Sequence, residues 1–185
     1  YLTERIGEEA VRFIMANHHQ PFFLYAAFNA VHYPMHAPRK YVDRFSHLPQ
    51  ERQMYAAILS AADDAVGRIV AAIDQTGQRK NTLIILLGDN GATTEKRAGL
   101  NNQYATAGSN APFRGHKFST FDGGMHVPAL MNWPGHVPSG KVVSEILMTA
   151  DILPTVCGLT GASVPQDRTR RRRQSRHAPH SRTNS

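Results

Sequence analysis

The sequence is poor in the features that mark several large classes of protein. It has one cysteine, Cys157, which excludes an intramolecular disulfide framework and a zinc site built from several cysteines. No apolar run approaches the roughly 18 residues of a membrane-spanning helix, so we expect no membrane partner. The chain opens on Tyr1 and shows no basic segment followed by an apolar one. Any targeting signal is therefore expected to lie outside these residues.

Acidic residues are scarcer than basic ones, but the imbalance belongs to one end of the chain. Residues 166–185 carry seven of the arginines and a single acid, Asp167, whereas the other 165 residues hold 14 basic and 13 acidic groups. The tail has no large apolar side chain, so its composition predicts disorder. Nucleic acid is expected as a partner only through this tail, and binding of polyanions by it is one alternative function.

Helices are predicted where apolar residues recur at three- and four-residue spacing. This pattern covers residues 3–17 and again residues 51–74, where Gly77 suits the C-terminal cap. Residues 144–161 are predicted to be helical in part, with Pro154 near the first turn.

Strands are predicted between these helices, which indicates an α/β layered fold. Residues 22–28 form an aromatic-rich run typical of a buried strand, and a short strand is expected within residues 126–135. Five consecutive aliphatic residues at 83–87 predict a central strand covered on both faces. Residues 92–112 are polar and predict a long surface loop.

Asp89 and Asn90 follow the predicted strand at residues 83–87 directly. With Gly91 they form a common turn signal, and a plain turn is one interpretation. The other interpretation is a metal site, because ligands of open α/β sheets bind beyond the carboxyl ends of strands. A carboxylate and an amide oxygen suit calcium or magnesium, although two ligands are too few for either ion.

His32 lies just past the predicted strand at residues 22–28, at the same end of the sheet if the strands are parallel. A lone histidine in a loop is commonly a surface residue. Pro34 and Pro38, however, stiffen this loop and would fix the direction of the ring. A held imidazole protonates a leaving oxygen or binds an anion.

Lys117 lies in a glycine-rich stretch and offers a point charge to a sulfate or phosphate oxygen. Gly115, Gly123 and Gly124 permit close approach of the backbone there. Lysine, histidine and the Asp-Asn pair, each taken to follow its own strand, form a constellation suited to hydrolysing an anionic ester.

Four stretches carry a resemblance to a known family. They are PFFLYAAFNAVHYPMHAP, YAAILSAADDAVGRIVAAIDQTGQRKNTLIILLGDNG, FRGHKFSTFDGGMHVPALMNWPG and LMTADILPTVCGLTGASVP. In this order and spacing, residues 21–165 resemble the latter part of a sulfatase catalytic domain, of the arylsulfatase type in the alkaline-phosphatase-like superfamily. The resemblance implies a layered α/β sandwich with a mixed, mostly parallel central sheet, here incomplete.

The resemblance also implies roles for particular residues in calcium-dependent hydrolysis of a sulfuric ester. Asp89 and Asn90 would be calcium ligands, and Lys117 would contact the sulfate and the ester oxygen. His32 would bind sulfate and act as the candidate acid for the leaving group. The substrate would be an aryl or carbohydrate sulfate, and the location exported (periplasmic or extracellular) or lysosomal. A phosphodiesterase or phosphonate hydrolase of the same superfamily is the alternative.

The sequence departs from the family pattern at several points. Asp122 and His126 stand where the family usually has glutamate and arginine. The Cys/Ser-x-Pro-x-Arg motif that supplies a formylglycine nucleophile is not found, and the adjacent Asp63 and Asp64 lie mid-helix, where a solvated face is expected. We therefore interpret residues 1–165 as a partial catalytic domain and 166–185 as a separate tail. The chain alone is expected to be inactive.

Overall fold

A computed structural model describes residues 1–93 and 108–165. Most of the predicted polar loop (residues 94–107) and the arginine-rich tail (residues 166–185) lie outside the described residues. The chain divides into two compact units, Tyr1–Gly140 and Lys141–Ser185. The first contains all of the candidate site residues.

Both predicted long helices are confirmed. Helix α1 spans Leu2–Asn17, and after the short helix α2 (Arg39–Val42) and a 3-10 turn (Asp43–Phe45), helix α3 spans Gln50–Gln75. Helix α3 ends where Gly77 was expected to cap it. There the N–H groups of residues 77 and 78 donate to the carbonyls of residues 74 and 73, over 3.0 and 3.1 Å.

The first unit is held together by packing between α1 and α3. Ile14 of α1 is fully buried and lies in one cluster with Ala72 and Ile73 of α3. Phe22 and Ile84 pack against the same cluster from the segments that follow each helix. Burial of this apolar stripe, more than intrinsic propensity, stabilises the two helices.

A second cluster ties the start of α1 to α2 and α3. Tyr41 is 1% exposed and packs with Ala57 and Ala61. Its hydroxyl donates to Glu4 over 3.1 Å, and Lys40 forms an ion pair with the same carboxylate at 2.5 Å. These polar contacts fix α2 against α1.

The sheet has two strands among the described residues. Strand β1 (Ile84–Leu87) follows the 3-10 turn Arg79–Asn81, and β2 (Ala129–Asn132) follows helix α4 (Asp122–Met125). They pair antiparallel, with Ile84 opposite Asn132 and Leu87 opposite Ala129. They form an antiparallel pair of the kind that a mixed sheet contains.

The prediction that residues 83–87 are covered on both faces is wrong. Leu86 is 44% exposed, and every residue of β2 is exposed as well. Ile84 joins the α1–α3 cluster, but Leu86, which points to the same face of the strand, is exposed, and Ile85 and Leu87 on the other face are only half-buried. A run of apolar residues therefore forms the strand without complete cover on either face.

Residues 22–28 also depart from prediction, because they form no strand in the described part of the chain. Their burial alternates as in a strand: Phe22 and Leu24 pack on the core, while Phe23 and Tyr25 are 73% and 81% exposed. Strand structure needs a hydrogen-bonded neighbour as well as this alternation. No described segment pairs with these residues.

In the second unit, a 3-10 turn (Thr149–Asp151) leads into helix α5 (Ile152–Thr160). Pro154 lies in the first turn of α5, as expected, and Gly161 ends the helix with φ of 73°. Cys157 is buried in α5. None of the helices among the described residues combines the length and the hydropathy that a membrane span needs.

Candidate functional site

The Asp89–Asn90 turn begins directly after β1, as its sequence position predicted. The Gly88 N–H donates to the Pro128 carbonyl over 3.2 Å, which carries the pairing with β2 one step beyond the strand. Asp89 is exposed, and its carboxylate makes no hydrogen bond or ion pair with any described residue. Asn90 donates its amide nitrogen to the Gly91 carbonyl over 3.0 Å. Its amide oxygen, the atom that a cation takes, is not used in that bond.

Lys117 lies on a second loop that is joined to this turn by backbone hydrogen bonds. The Lys117 N–H donates to the Ala92 carbonyl over 3.1 Å, and the Gly91 N–H donates to the Gly124 carbonyl over 3.0 Å. The structure thus brings Lys117 into the same loop cluster as Asp89 and Asn90. Among the described residues, no strand lies between β1 and Lys117, so the lysine is not placed there by a strand of its own.

The expected close approach of backbone at the glycines is confirmed. A β-carbon on Gly91 would collide with the Gly123 carbonyl oxygen, and one on Gly115 would lie 2.8 Å from Cβ of Phe121. Gly115 also has φ of 90°, a conformation that side chains disfavour. This close contact therefore requires glycine, which has no side chain, at both positions.

Asn110 is a residue of this cluster that sequence reasoning missed. Its amide oxygen accepts from the Ala92 N–H over 2.7 Å, and its nitrogen donates to the carbonyls of Ala92 and Gly115 over 2.8 and 3.2 Å. In sequence it is one polar residue in a polar loop. The polar composition of residues 92–112 predicts a loop, but it carries no signal for hydrogen bonds that cross between loops.

His32 stands apart from this cluster. It is exposed, its Nδ1 lies 2.7 Å from the Tyr33 carbonyl oxygen, and its ring centroid is 4.3 Å from that of Tyr33. Among the described contacts, none joins His32 to Asp89, Asn90 or Lys117. The argument from a shared sheet edge also fails, because residues 22–28 form no strand. The role of His32 stays a prediction from resemblance.

The donor atoms at the turn fit a hard cation in chemistry but not in number. Asp89 and Asn90 supply two oxygens, whereas calcium takes about six to eight. Within residues 1–93 and 108–165, no three histidine, cysteine or acidic side chains converge to hold a metal ion. A calcium ion would need further oxygen ligands beyond these two side chains.

The paired aspartates on α3 have a structural explanation. Arg44 forms a two-pronged hydrogen bond with the Asp64 carboxylate over 2.9 and 3.1 Å, while Asp63 is exposed. The Arg44 guanidinium lowers the pKa of Asp64 below its ordinary value. Asp64 is thus held by an arginine and is not open to a cation.

The two departures from the family pattern lie beside the Lys117 loop. Asp122 begins α4, and its carbonyl accepts from the His126 N–H over 2.7 Å. The His126 ring lies against Phe113 with a centroid distance of 4.3 Å. Among the described contacts, His126 therefore has an aromatic neighbour and no carboxylate partner.

Known proteins are similar to this chain in sequence and in fold. The family model described as Sulfatase matches residues 1–162. Steryl-sulfatase of Rattus norvegicus is 35% identical over 167 residues, and N-acetylgalactosamine-6-sulfatase of Mus musculus is 36% identical over 169. Each match covers 90% of this chain but only 28% and 30% of those proteins. The chain thus spans less than a third of their length.

A solved structure supports the same relationship. The crystal structure of Ps i-CgsB in complex with k-i-k-neocarrahexaose superposes with a TM-score of 0.80 at 36% sequence identity. The superposition covers 89% of this chain and 35% of that one. The fold of this chain therefore matches about a third of that protein.

Proposed function

Because the chain belongs to the sulfatase family, we propose that it supplies part of the active site of an enzyme that hydrolyses sulfate esters. One observation supports this site above the others. Backbone hydrogen bonds join the Asp89–Asn90 turn to the loop of Lys117, so two residues with hard oxygen donors and one with an ammonium group lie on adjoining loops. Such a cluster suits an anionic ester, because charge near its oxygens stabilises the transition state.

Each candidate residue has a chemical role in this proposal. Asp89 and Asn90 hold a divalent cation, calcium by family resemblance, which neutralises negative charge on the sulfate when bound. Lys117 binds a sulfate oxygen through its ammonium group. His32, in the intact protein, donates a proton from its imidazole to the leaving oxygen.

The nucleophile lies outside these 185 residues in this proposal. No Cys/Ser-x-Pro-x-Arg motif, the source of a formylglycine in the family, is found in the sequence. The chain by itself is expected to release no sulfate, since positioning groups alone cannot form a covalent intermediate. We assign residues 1–165 to the catalytic domain and 166–185 to a tail outside it.

The substrate class and location also follow from family resemblance. The relatives are named for steryl sulfate and for a sulfated amino sugar, and the solved relative was crystallised with a carrageenan-type oligosaccharide. We propose an aryl or carbohydrate sulfate as substrate, and an exported or lysosomal location.

Sulfate release by the intact protein tests this function. Aryl sulfate, sulfated sugar, phosphodiester and phosphonate ester are compared as substrates, with and without a calcium chelator. We expect the parent protein to release sulfate. Lys117→Ala should lower the rate of release by about 100-fold or more, the usual effect of removing one transition-state contact. Lys80→Ala is the matched control, because Lys80 is exposed and lies before β1.

A parallel pair of variants tests the metal ligands. Asp89→Asn should abolish the calcium dependence of sulfate release, whereas Asp63→Asn on α3 should leave it unchanged. Preference for the phosphodiester would favour the alternative hydrolase. No turnover of any of the four substrates would reject the proposed function.

A further inference from the structure

Asn110 connects the two loops that carry the candidate site. On one side it bonds both polar groups of the Ala92 backbone, at 2.7 and 2.8 Å. On the other side it donates to the Gly115 carbonyl over 3.2 Å. Ala92 lies two residues after Asn90, and Gly115 lies two residues before Lys117. The side chain therefore reaches the backbone close to each candidate group.

The chemistry of these partners requires a side-chain amide. The Ala92 N–H is only a donor, and the two carbonyls are only acceptors, so one group must accept once and donate twice. A carboxylate accepts but cannot donate, and alanine does neither. The half-buried position raises the cost of leaving these backbone groups without partners.

The backbone of Asn110 takes part as well. Its carbonyl accepts from the Phe113 N–H over 2.8 Å, which closes a turn before the Lys117 loop. This turn fixes the direction from which the amide enters between the loops. The Lys117 N–H then bonds the same Ala92 carbonyl that Asn110 holds. One carbonyl thus receives hydrogen bonds from both residues.

We propose that Asn110 is a positioning residue that holds the Asp89–Asn90 turn and the Lys117 loop in a fixed relation. It touches neither metal nor substrate, and acts through the backbone of Ala92 and Gly115. Its effect on the site rests on the proposed function, whereas its effect on the loops does not. Groups of this kind, behind the ligands, commonly change metal affinity or activity by about 10–100-fold.

Hydrogen exchange of the intact protein tests the inference without substrate or metal. Asn110→Ala and Asn110→Asp are compared with Ser109→Ala, which removes a neighbouring exposed hydroxyl that accepts one 3.3 Å bond from Ala111. We expect faster exchange of amides in residues 91–92 and 115–117 in both Asn110 variants only. Exchange within β1 and α3 should be unchanged in all three.

Calcium binding and kinetics then test the consequence for the site. With calcium alone as titrant, both Asn110 variants should bind about 10–100-fold more weakly than the parent and Ser109→Ala. With an aryl sulfate and saturating calcium, kcat should fall by more than KM rises, because misplaced groups affect the transition state most.

Two results would overturn the inference. One is that both Asn110 variants show the same hydrogen exchange and the same calcium affinity as Ser109→Ala. The other is a loss of protection spread evenly over α3 and the sheet, which would mean general destabilisation. If the parent protein releases no sulfate while exchange changes as expected, the proposed function fails and the positioning role stands.

Discussion

Two adjacent aspartates on α3 differ in their contacts with the rest of the protein. Asp64 receives two hydrogen bonds from Arg44, which also donates to Ser60 over 2.8 Å, while Asp63 is exposed. The contact joins α3 to the 3-10 turn after α2. Since both partners are more than a third exposed, solvent screens the ion pair and its contribution is modest.

At neutral pH, Asp64→Asn should lower the free energy of unfolding by about 0.5 kcal/mol, and Asp63→Asn by less. The Arg44 guanidinium lowers the pKa of Asp64 from its ordinary value of 3.8. A lowered pKa adds stability that is present above the ordinary value and is lost as pH falls through the lowered one. Urea unfolding of the chain at neutral and acid pH measures this. A gap between parent and Asp64→Asn that persists in strong acid would contradict the argument.

The local structure around some candidate site residues could be predicted from sequence, because it depends on neighbouring residues. Asp89 and Asn90 form a turn with Gly91, and turns of this kind are determined by adjacent residues. Asn110 could not be predicted in this way, because its partner Ala92 lies 18 residues away. A hydrogen bond of that span depends on how two loops meet, which sequence pattern does not encode.

Secondary-structure elements also differ in whether they depend on local sequence or on distant segments of the chain. Helices α1 and α3 were predictable because each apolar stripe repeats along one continuous segment. Residues 22–28 have the composition and alternating burial of a strand, but strand pairing requires a neighbour from elsewhere in the chain. The exposure of Leu86 has the same cause, because complete cover of a strand needs neighbours from elsewhere in the chain.

Contact between α1 and α3 depends on a helical glycine. A β-carbon on Gly7 would lie 2.8 Å from Cβ and 3.3 Å from Cα of Ala65, closer than atoms pack. Gly67, on α3, has no heavy atom within 4 Å of the same position. These two glycines therefore differ in packing while sharing helical backbone.

Gly7→Ala should destabilise the chain by about 1–3 kcal/mol, because the added methyl forces the helices apart. Gly67→Ala should stabilise it by about 0.5–1 kcal/mol, since alanine restricts the unfolded chain and fits the helix. Urea unfolding followed by circular dichroism gives both values. Equal effects of the two substitutions would show that the helices adjust without cost.

At the scale of the whole molecule, the first unit leaves much apolar surface open. Phe23 and Tyr25 are 73% and 81% exposed on a segment without a paired strand, and Leu130 of β2 is 66% exposed. Each of the two paired strands also has one edge without a described neighbour. Exposed apolar faces beside unpaired strand edges are typical of surfaces against which another polypeptide segment packs. The chain's share of its relatives' length agrees with this picture.

The isolated 185-residue chain should therefore self-associate in solution. Light scattering coupled to gel filtration should show species larger than a monomer that grow with concentration. The double variant Phe23→Lys with Tyr25→Lys should shift the chain toward monomer, because charge opposes both apolar contact and edge pairing. Leu59→Lys, on α3, is the control, since it replaces a single 55% exposed apolar residue away from that segment. If Leu59→Lys has the same effect as the double variant, net charge and not the segment governs association. A parent chain that stays monomeric at all concentrations would refute the prediction altogether.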